Sequence, residues 1–251
     1  MTPFELIILL IVGIVSGFLN VMAGGGSMLT VPLMIFMGIP GHIANGTNRI
    51  GILVQNITAV TAFYKKGFAN FKLSLSLAAF TIPGAIAGAY LASNIEGKDF
   101  NRLLVVLMVI VMIMMATGNS KASAKSIEKI SHGRLIGGHI LMTAAGFWGG
   151  LIQIGVGFIL MPIMHRVMGM DLVTTNSHKV FITLVFSIAA LLVFNAQLEL
   201  LWSAGIALAI GNSIGGWFAT HFQIKQGVEA IKWVLNIVLI AFIIKLLFFQ
   251  E

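Results

Sequence analysis

Residues 17–49 read GFLNVMAGGGSMLTVPLMIFMGIPGHIANGTNR, and residues 146–179 read GFWGGLIQIGVGFILMPIMHRVMGMDLVTTNSHK. Both stretches open on Gly-Phe and place a glycine-rich break ahead of a short apolar run. Both carry a proline soon after the break, Pro32 and Pro162, and both close on a polar cluster that ends in a cation. At an offset of 130, Thr47, Asn48 and Arg49 fall on Ser177, His178 and Lys179. Farther along, Gly84 and Gly88 recur as Gly211 and Gly215, followed by Tyr90 and Trp217. The chain reads as two copies of one unit, residues 1–118 and 135–251, joined by a basic linker over 119–134.

Around these stretches lie apolar runs of spanning length, about 20 residues each. They fall near 3–22, 47–64, 71–92, 101–118, 135–153, 178–195, 199–221 and 230–249. Two shorter runs, Ser27–Gly38 and Val156–Gly169, follow the glycine breaks and are too short to cross a hydrocarbon core about 30 Å thick. The expected fold is therefore an all-α polytopic membrane protein. Each half has one full helix, a glycine-broken half-helix and three spanning helices. Short, glycine-interrupted segments at matching places in two halves are a sequence pointer to a transporter's binding site.

Composition agrees. Of 251 residues, 58% are hydrophobic and only 9% are Asp, Glu, Lys or Arg, against about 25% in an average soluble domain. Too few charges remain to cover a water-facing surface. A soluble enzyme, a disordered chain and a nucleic-acid-binding domain are excluded. The net charge of +7 does not argue for nucleic acid, because no basic patch is interleaved with aromatics. The absence of cysteine excludes disulfides, thiolate metal sites and cysteine nucleophiles. The segment Met1–Gly17 has no basic leader and its first charge is Glu5, so it reads as the first membrane helix rather than a cleaved signal.

The cations set a topology. Eleven of the fifteen fall in the segments 65–72, 121–134, 165–179 and 225–232, which share one side if each full helix and its short partner return to the side they came from. Arg49, Lys98, Arg102 and Lys245 fall on the other side. Loops rich in Lys and Arg stay in the cytoplasm, which puts both termini outside and makes the two repeats inverted relative to each other. Inverted halves suit alternating access around a midplane site. In the linker, Lys121, Lys125 and Lys129 repeat at i+4, so a short helix would lay them on anionic lipid headgroups.

The chemistry concentrates at the breaks. Gly24, Gly25, Gly26 and Ser27 begin a half-helix at membrane depth, where irregular backbone is either buried in protein or lines a wet cavity. Its free N–H groups and partial positive charge suit a small oxyanion, with Ser27 and Thr30 as hydroxyl donors. Gln153, Gly155 and Gly157 hold the matching place in the second half. Tight helix crossing is the alternative for these clusters, and it is the expected role of Gly13, Gly17, Gly84, Gly88, Gly211 and Gly215. Arg49 and Lys179 would supply positive charge beside Thr47, Asn48, Ser177 and His178; the alternative is snorkelling to the headgroups. Asn56 lies seven residues after Arg49, on the same helical face, while its counterpart Phe186 is apolar. Asn45 reads as the cap of the helix that carries Arg49.

No carboxylate falls mid-run, which disfavours metal transport and an acidic proton relay. The histidines show no ligand spacing, and His42, His165 and His178 lie near run ends. No hydrolase or metalloprotease motif is present, so no enzyme activity, metal or cofactor is expected.

The motif G-F-x-x-x-x-x-GGGS-x-x-x-x-P followed by Ala44-x-Gly-Thr-Asn48, with a weaker second copy, resembles the TauE/SafE sulfite exporter family, also called the toluene sulfonate uptake permeases. The resemblance covers essentially the whole chain, and the first copy is the more specific. It implies a bacterial inner-membrane protein of two repeated halves that moves sulfite, sulfonates, sulfoacetate or related sulfur anions, generally outward. It implies that Gly24–Ser27 and Thr47–Arg49 line the anion path, with Gln153, Gly155, Gly157 and Ser177–Lys179 opposite. The second copy departs from the motif: Ile154 and Val156 stand where glycines are expected, and Thr174-Thr175-Asn176 replaces Ala-x-Gly. The residues alone reach only a small anion. An anion channel with the same lining and a non-transporting scaffold stay open. The partners expected are a small sulfur oxyanion or organosulfonate and membrane lipid, with no nucleic acid; a homodimer is left open.

Overall fold

A computed structural model describes residues 1–67, 71–95, 97–117 and 130–222. The last apolar run, 230–249, and Lys121, Lys125 and Lys129 of the linker lie outside the described residues.

Nine α-helices follow one another among the described residues, and no strand occurs there. The first half holds α1 (Pro3–Ala23), α2 (Ser27–Phe36), α3 (Gly41–Lys65), α4 (Phe71–Ser93) and α5 (Gly97–Thr117). The second holds α6 (His132–Leu151), α7 (Gly157–Pro162), α8 (Leu172–Gln197) and α9 (Trp202–Phe222). Local signals set three of these boundaries. Thr2 and Glu5 form a reciprocal capping box at the start of α1, with Pro3 supplying a preset φ. The Asp171 carboxylate accepts the N–H groups of Val173 and Thr174 and starts α8. Pro162 has no N–H to continue the α pattern, and the backbone widens after it into a π turn over Ile163–Val167.

The interior is largely apolar, and unlike that of a soluble protein the outer surface is apolar as well. Ile7, Ile11 and Val15 form an exposed stripe on α1, and Ile206, Ile210 and Ile214 form another on α9. Asn, Gln, Thr and Ser are buried between the helices. A bilayer selects this distribution, since lipid solvates the outer apolar faces and polar groups must find partners within. By length and composition α1, α4 and α8 are each able to cross a membrane; α1, at 21 residues and 1.5 Å per residue, is about 31 Å long.

The helices pair in a pattern that survives exchange of the halves. α1 packs along α9, and its counterpart α6 packs along α4. α3 packs on α9, and its counterpart α8 packs on α4; α3 and α8 also touch each other. The glycine stripes make these contacts close. Gly17 meets the backbone of Asn212, and Gly211 and Gly215 meet the backbone of α1. Likewise Gly84 and Gly88 meet α6, and Gly146 and Gly150 meet α4. A Cβ at any of these would collide with main chain, as the packing role requires.

Two expectations need correction. The helices assigned to 47–64 and 178–195 begin earlier, at Gly41 and Leu172. Thr47–Arg49 and Ser177–Lys179 are therefore inside helices, beyond the first turn. The cap of α3 is Pro40, not Asn45; Asn45 lies within the helix, where its Nδ2 donates to Leu151 O at 3.0 Å. Both polar clusters are buried against the rest of the bundle rather than lying in loops themselves.

Candidate functional site

The two breaks meet. α1 ends at Gly24, which has φ of 83°, a left-handed conformation that glycine adopts without strain. A Cβ on Gly24 would strike the backbone of Gly157, and one on Gly157 would strike that of Gly24. The chain crossing at this point requires glycine on both sides.

Asn20 holds the first break together. Its carbonyl accepts Gly24 N–H at 2.8 Å, its Oδ1 accepts Gly26 N–H at 2.7 Å, and its Nδ2 donates to Gln55 Oε1 at 3.2 Å. The Gly26 N–H is thus engaged rather than free for a ligand. The hydroxyls of α2 are engaged too: Asn48 Nδ2 donates to Ser27 Oγ at 3.1 Å, and Thr30 Oγ1 donates to Asn48 Oδ1 at 2.7 Å. Asn48 clamps the half-helix onto α3. The second break is built differently. Ile152 is extended, Gly155 has φ of 70°, and Trp148 Nε1 donates to Ile154 O at 2.9 Å.

Both cations cross to the other half. Arg49 is fully buried; it donates to Gly149 O at 2.9 Å, Gly150 O at 2.5 Å and Gln153 Oε1 at 3.1 Å. Its guanidinium carbon lies 4.7 Å from the centre of the Phe194 ring. Lys179, 3% exposed, donates to Val21 O at 2.7 Å and Asn20 O at 3.1 Å. Asn45 and Asn176 join them, Asn45 on Leu151 O and Asn176 Nδ2 on Val21 O at 2.8 Å. The first half therefore caps α6, and the second half caps α1. The last carbonyls of a helix carry partial negative charge and lack intrahelical donors, so a buried cation is well placed there. Among the described residues no acidic side chain is buried. Neither cation snorkels.

Where the breaks meet, a cavity of about 20 Å³ is lined by Asn20, Gly24, Ile52, Gln55, Asn56, Gln153, Val156, Gly157, Lys179 and Thr183. Its size suits about one water molecule. Five residues expected at a site line it: Gly24, Asn56, Gln153, Gly157 and Lys179. Arg49 lies behind it, bonded to Gln153. Ser27, Thr30 and Asn48 form their own cluster, and Thr47 Oγ1 accepts Leu201 N–H at 3.1 Å ahead of α9. His178 Nδ1 is 2.7 Å from Ser74 Oγ on α4. Gly25, Gly26, Gly155 and Ser177 are buried without lining the cavity.

Sequence reasoning missed Asn20, Gln55 and Thr183. Signals existed: Asn20 is the sole carboxamide of α1, Gln55 adjoins Asn56, and Thr183 lies one turn beyond Lys179 on the same face.

The comparisons agree with this architecture. The family model described as "Sulfite exporter TauE/SafE" matches residues 9–246. A protein of Sinorhizobium sp named "Probable membrane transporter protein ORF9" is 26% identical over 239 residues, covering 95% of this chain and 91% of that protein. "Probable membrane transporter protein YfcA" of Escherichia coli K12 is 21% identical over 250 residues, covering 98% and 91%. "Probable membrane transporter protein YunE" of Bacillus subtilis 168 is 22% identical over 260 residues, covering 93% and 94%. A match over nearly the whole chain, on a helical membrane architecture with two glycine-broken helices, leaves one conclusion: this chain belongs to the sulfite exporter TauE/SafE family of membrane transporters.

Proposed function

We propose that the protein is a secondary carrier that exports a small sulfur-containing anion, such as sulfite, a sulfonate or sulfoacetate, by alternating access. The observation that carries this is the cavity where the two breaks meet, lined by Lys179 and by the carboxamides of Asn20, Gln55, Asn56 and Gln153. Carboxamide N–H groups and an ammonium are donors suited to an oxyanion. The anion contacts Lys179, Asn56 and Gln153, with the Gly24–Gly157 crossing letting the backbone approach it. The other residues of the two clusters hold these in place: Gly25, Gly26, Ser27, Thr30, Thr47, Asn48 and Arg49 in the first half, Gly155, Ser177 and His178 in the second.

The cavity holds about one water molecule, less than any sulfur oxyanion needs, so binding requires the helices around it to move. That favours a carrier over a permanently open pore. The exchange-symmetric pairing of the helices supports two inverted repeats, and the cation distribution supports a bacterial inner-membrane orientation with both termini outside.

The test is flux in proteoliposomes with sulfite, thiosulfate, taurine and sulfoacetate, each also scored for thermal stabilisation of the purified protein. Saturable flux with counter-transport is expected for at least one. Single-channel currents would identify a channel, and no flux or stabilisation with any of the four would reject the proposal.

A further inference from the structure

Arg49 and Lys179 occupy equivalent positions, and each caps the broken helix of the other half. Their surroundings differ. The two terminal nitrogens of Arg49 have three acceptors and an aromatic ring beside them, only its Nε is without a partner among the described residues, and it does not line the cavity. A guanidinium so engaged is geometrically committed. Lys179 has two carbonyl acceptors and lines the cavity. An ammonium has three N–H donors, so one more acceptor can be taken without breaking either bond, and a charged acceptor competes well with a neutral carbonyl. Asn56, 2% exposed, lines the same cavity, and its Nδ2 has no hydrogen-bond partner among the described residues. A buried amide donor without a partner is unusual enough to need a cause, and a ligand accepting from it supplies one.

The carbonyl that Lys179 holds is also a hinge point. Asn20 O accepts from both Lys179 Nζ and Gly24 N–H, while the Asn20 side chain ties Gly26 and Gln55. A change at Lys179 is felt by the turn that closes α1. At the α6 break, the guanidinium bonds Gly149 and Gly150 from outside the cavity, and only Gln153 connects the two.

Resting on the anion-carrier reading above, we propose that Lys179 and Asn56 are the donors through which a bound anion is sensed, and that the α1 break opens in response while the α6 break, fastened by Arg49, serves as the fixed joint. The two repeats would then contribute unequally: one cation gates and the other holds.

Hydrogen–deuterium exchange on the full chain in proteoliposomes, with sulfite as the probe, reads this directly. Addition of sulfite should change the exchange rate of amides 19–27 by at least about threefold and leave amides 150–157 within a factor of about 1.5. In K179R, whose side chain would stay fastened to the α1 carbonyls, the response at 19–27 should vanish. In N56L, which keeps the lysine, it should shrink. Equal responses at the two breaks, or a response confined to 150–157, would overturn the inference while leaving sulfite transport standing. Sulfite flux with no response at either break would do the same. If wild-type protein neither moves sulfite nor responds at either break, the carrier reading with sulfite as substrate falls, and this inference with it.

Discussion

At the end of α6 a guanidinium gathers two carbonyls and a side-chain amide over the face of Phe194; at the end of α1 an ammonium gathers two carbonyls beside a cavity. The two sites lie at matching sequence positions and meet the same need, the last carbonyls of a helix that have no intrahelical donor. They differ in how many bonds hold the cation and in what lies next to it. Asn56 and its counterpart Phe186 continue the contrast. Asn56 faces the cavity, whereas the Phe186 ring fills the space beside Gly149. Two corners at matching sequence positions thus differ, one polar and one apolar.

The largest way to break this arrangement is at the crossing of the two breaks. Gly24→Ala combines a left-handed backbone with a collision against Gly157, and should cost about 3–5 kcal/mol. Gly38→Ala is the control, since Gly38 also has positive φ (84°) but no atoms near its Cβ position; about 1 kcal/mol is expected there. Thermal unfolding in detergent separates the two, and equal losses would show that the crossing is looser than described.

The joints come next. Arg49→Met should destabilise by about 3 kcal/mol or more and Lys179→Met by about 2 kcal/mol, because charged hydrogen bonds are worth about 1.5–3 kcal/mol and Arg49 makes more of them. The reverse order would invert the assignment of holding and gating joints.

A smaller effect sharpens the contrast at the corner. Asn56→Leu should lower sulfite flux about tenfold, equivalent to losing one hydrogen bond of about 1.4 kcal/mol to the ligand. Its effect on the melting temperature should be slight, since Asn56 Nδ2 has no partner to lose among the described residues. A large drop in stability with unchanged flux would make Asn56 structural.

The smallest effect lies outside the cavity. Asp171→Ala should remove the cap of α8 at a cost of about 1 kcal/mol. Partial burial pushes the Asp171 carboxyl up, but hydrogen bonds from Thr174 and Val173 outweigh this and hold it below its ordinary value of 3.8. The cap's stabilisation is therefore present above that value and fades as pH falls through the lower folded value. Acid titration of the melting temperature should show a step in wild type that is missing in the variant.

The helical, apolar character of the chain and its two short helices after glycine breaks were legible because hydropathy and glycine position report them directly. The starts of α3 and α8 were not. Asn45, Thr47, Asn48 and Arg49 look like loop residues to any hydropathy window, yet they are buried inside a helix. What satisfies them lies far away in sequence: Arg49 bonds Gly149, 100 residues on. For the same reason their chemistry was legible as residue type but not as partner. Glycines offered two roles, close packing or ligand approach, and nothing in the sequence showed that Gly24 and Gly157 would lie against each other. Asn20 was overlooked because its side chain works on a break that follows it.

The crossed capping has a consequence for biosynthesis. Val21 O receives its donor from Lys179, 158 residues later in the chain. The end of α1 enters the membrane early, and its finishing group arrives only when α8 is inserted. Until then the first half carries a helix end whose last carbonyls lack the donors that complete it. Contacts of such long separation close late. A ribosome stalled before residue 176 should therefore leave a nascent chain that is threaded but unfinished, a form on which membrane quality control can act.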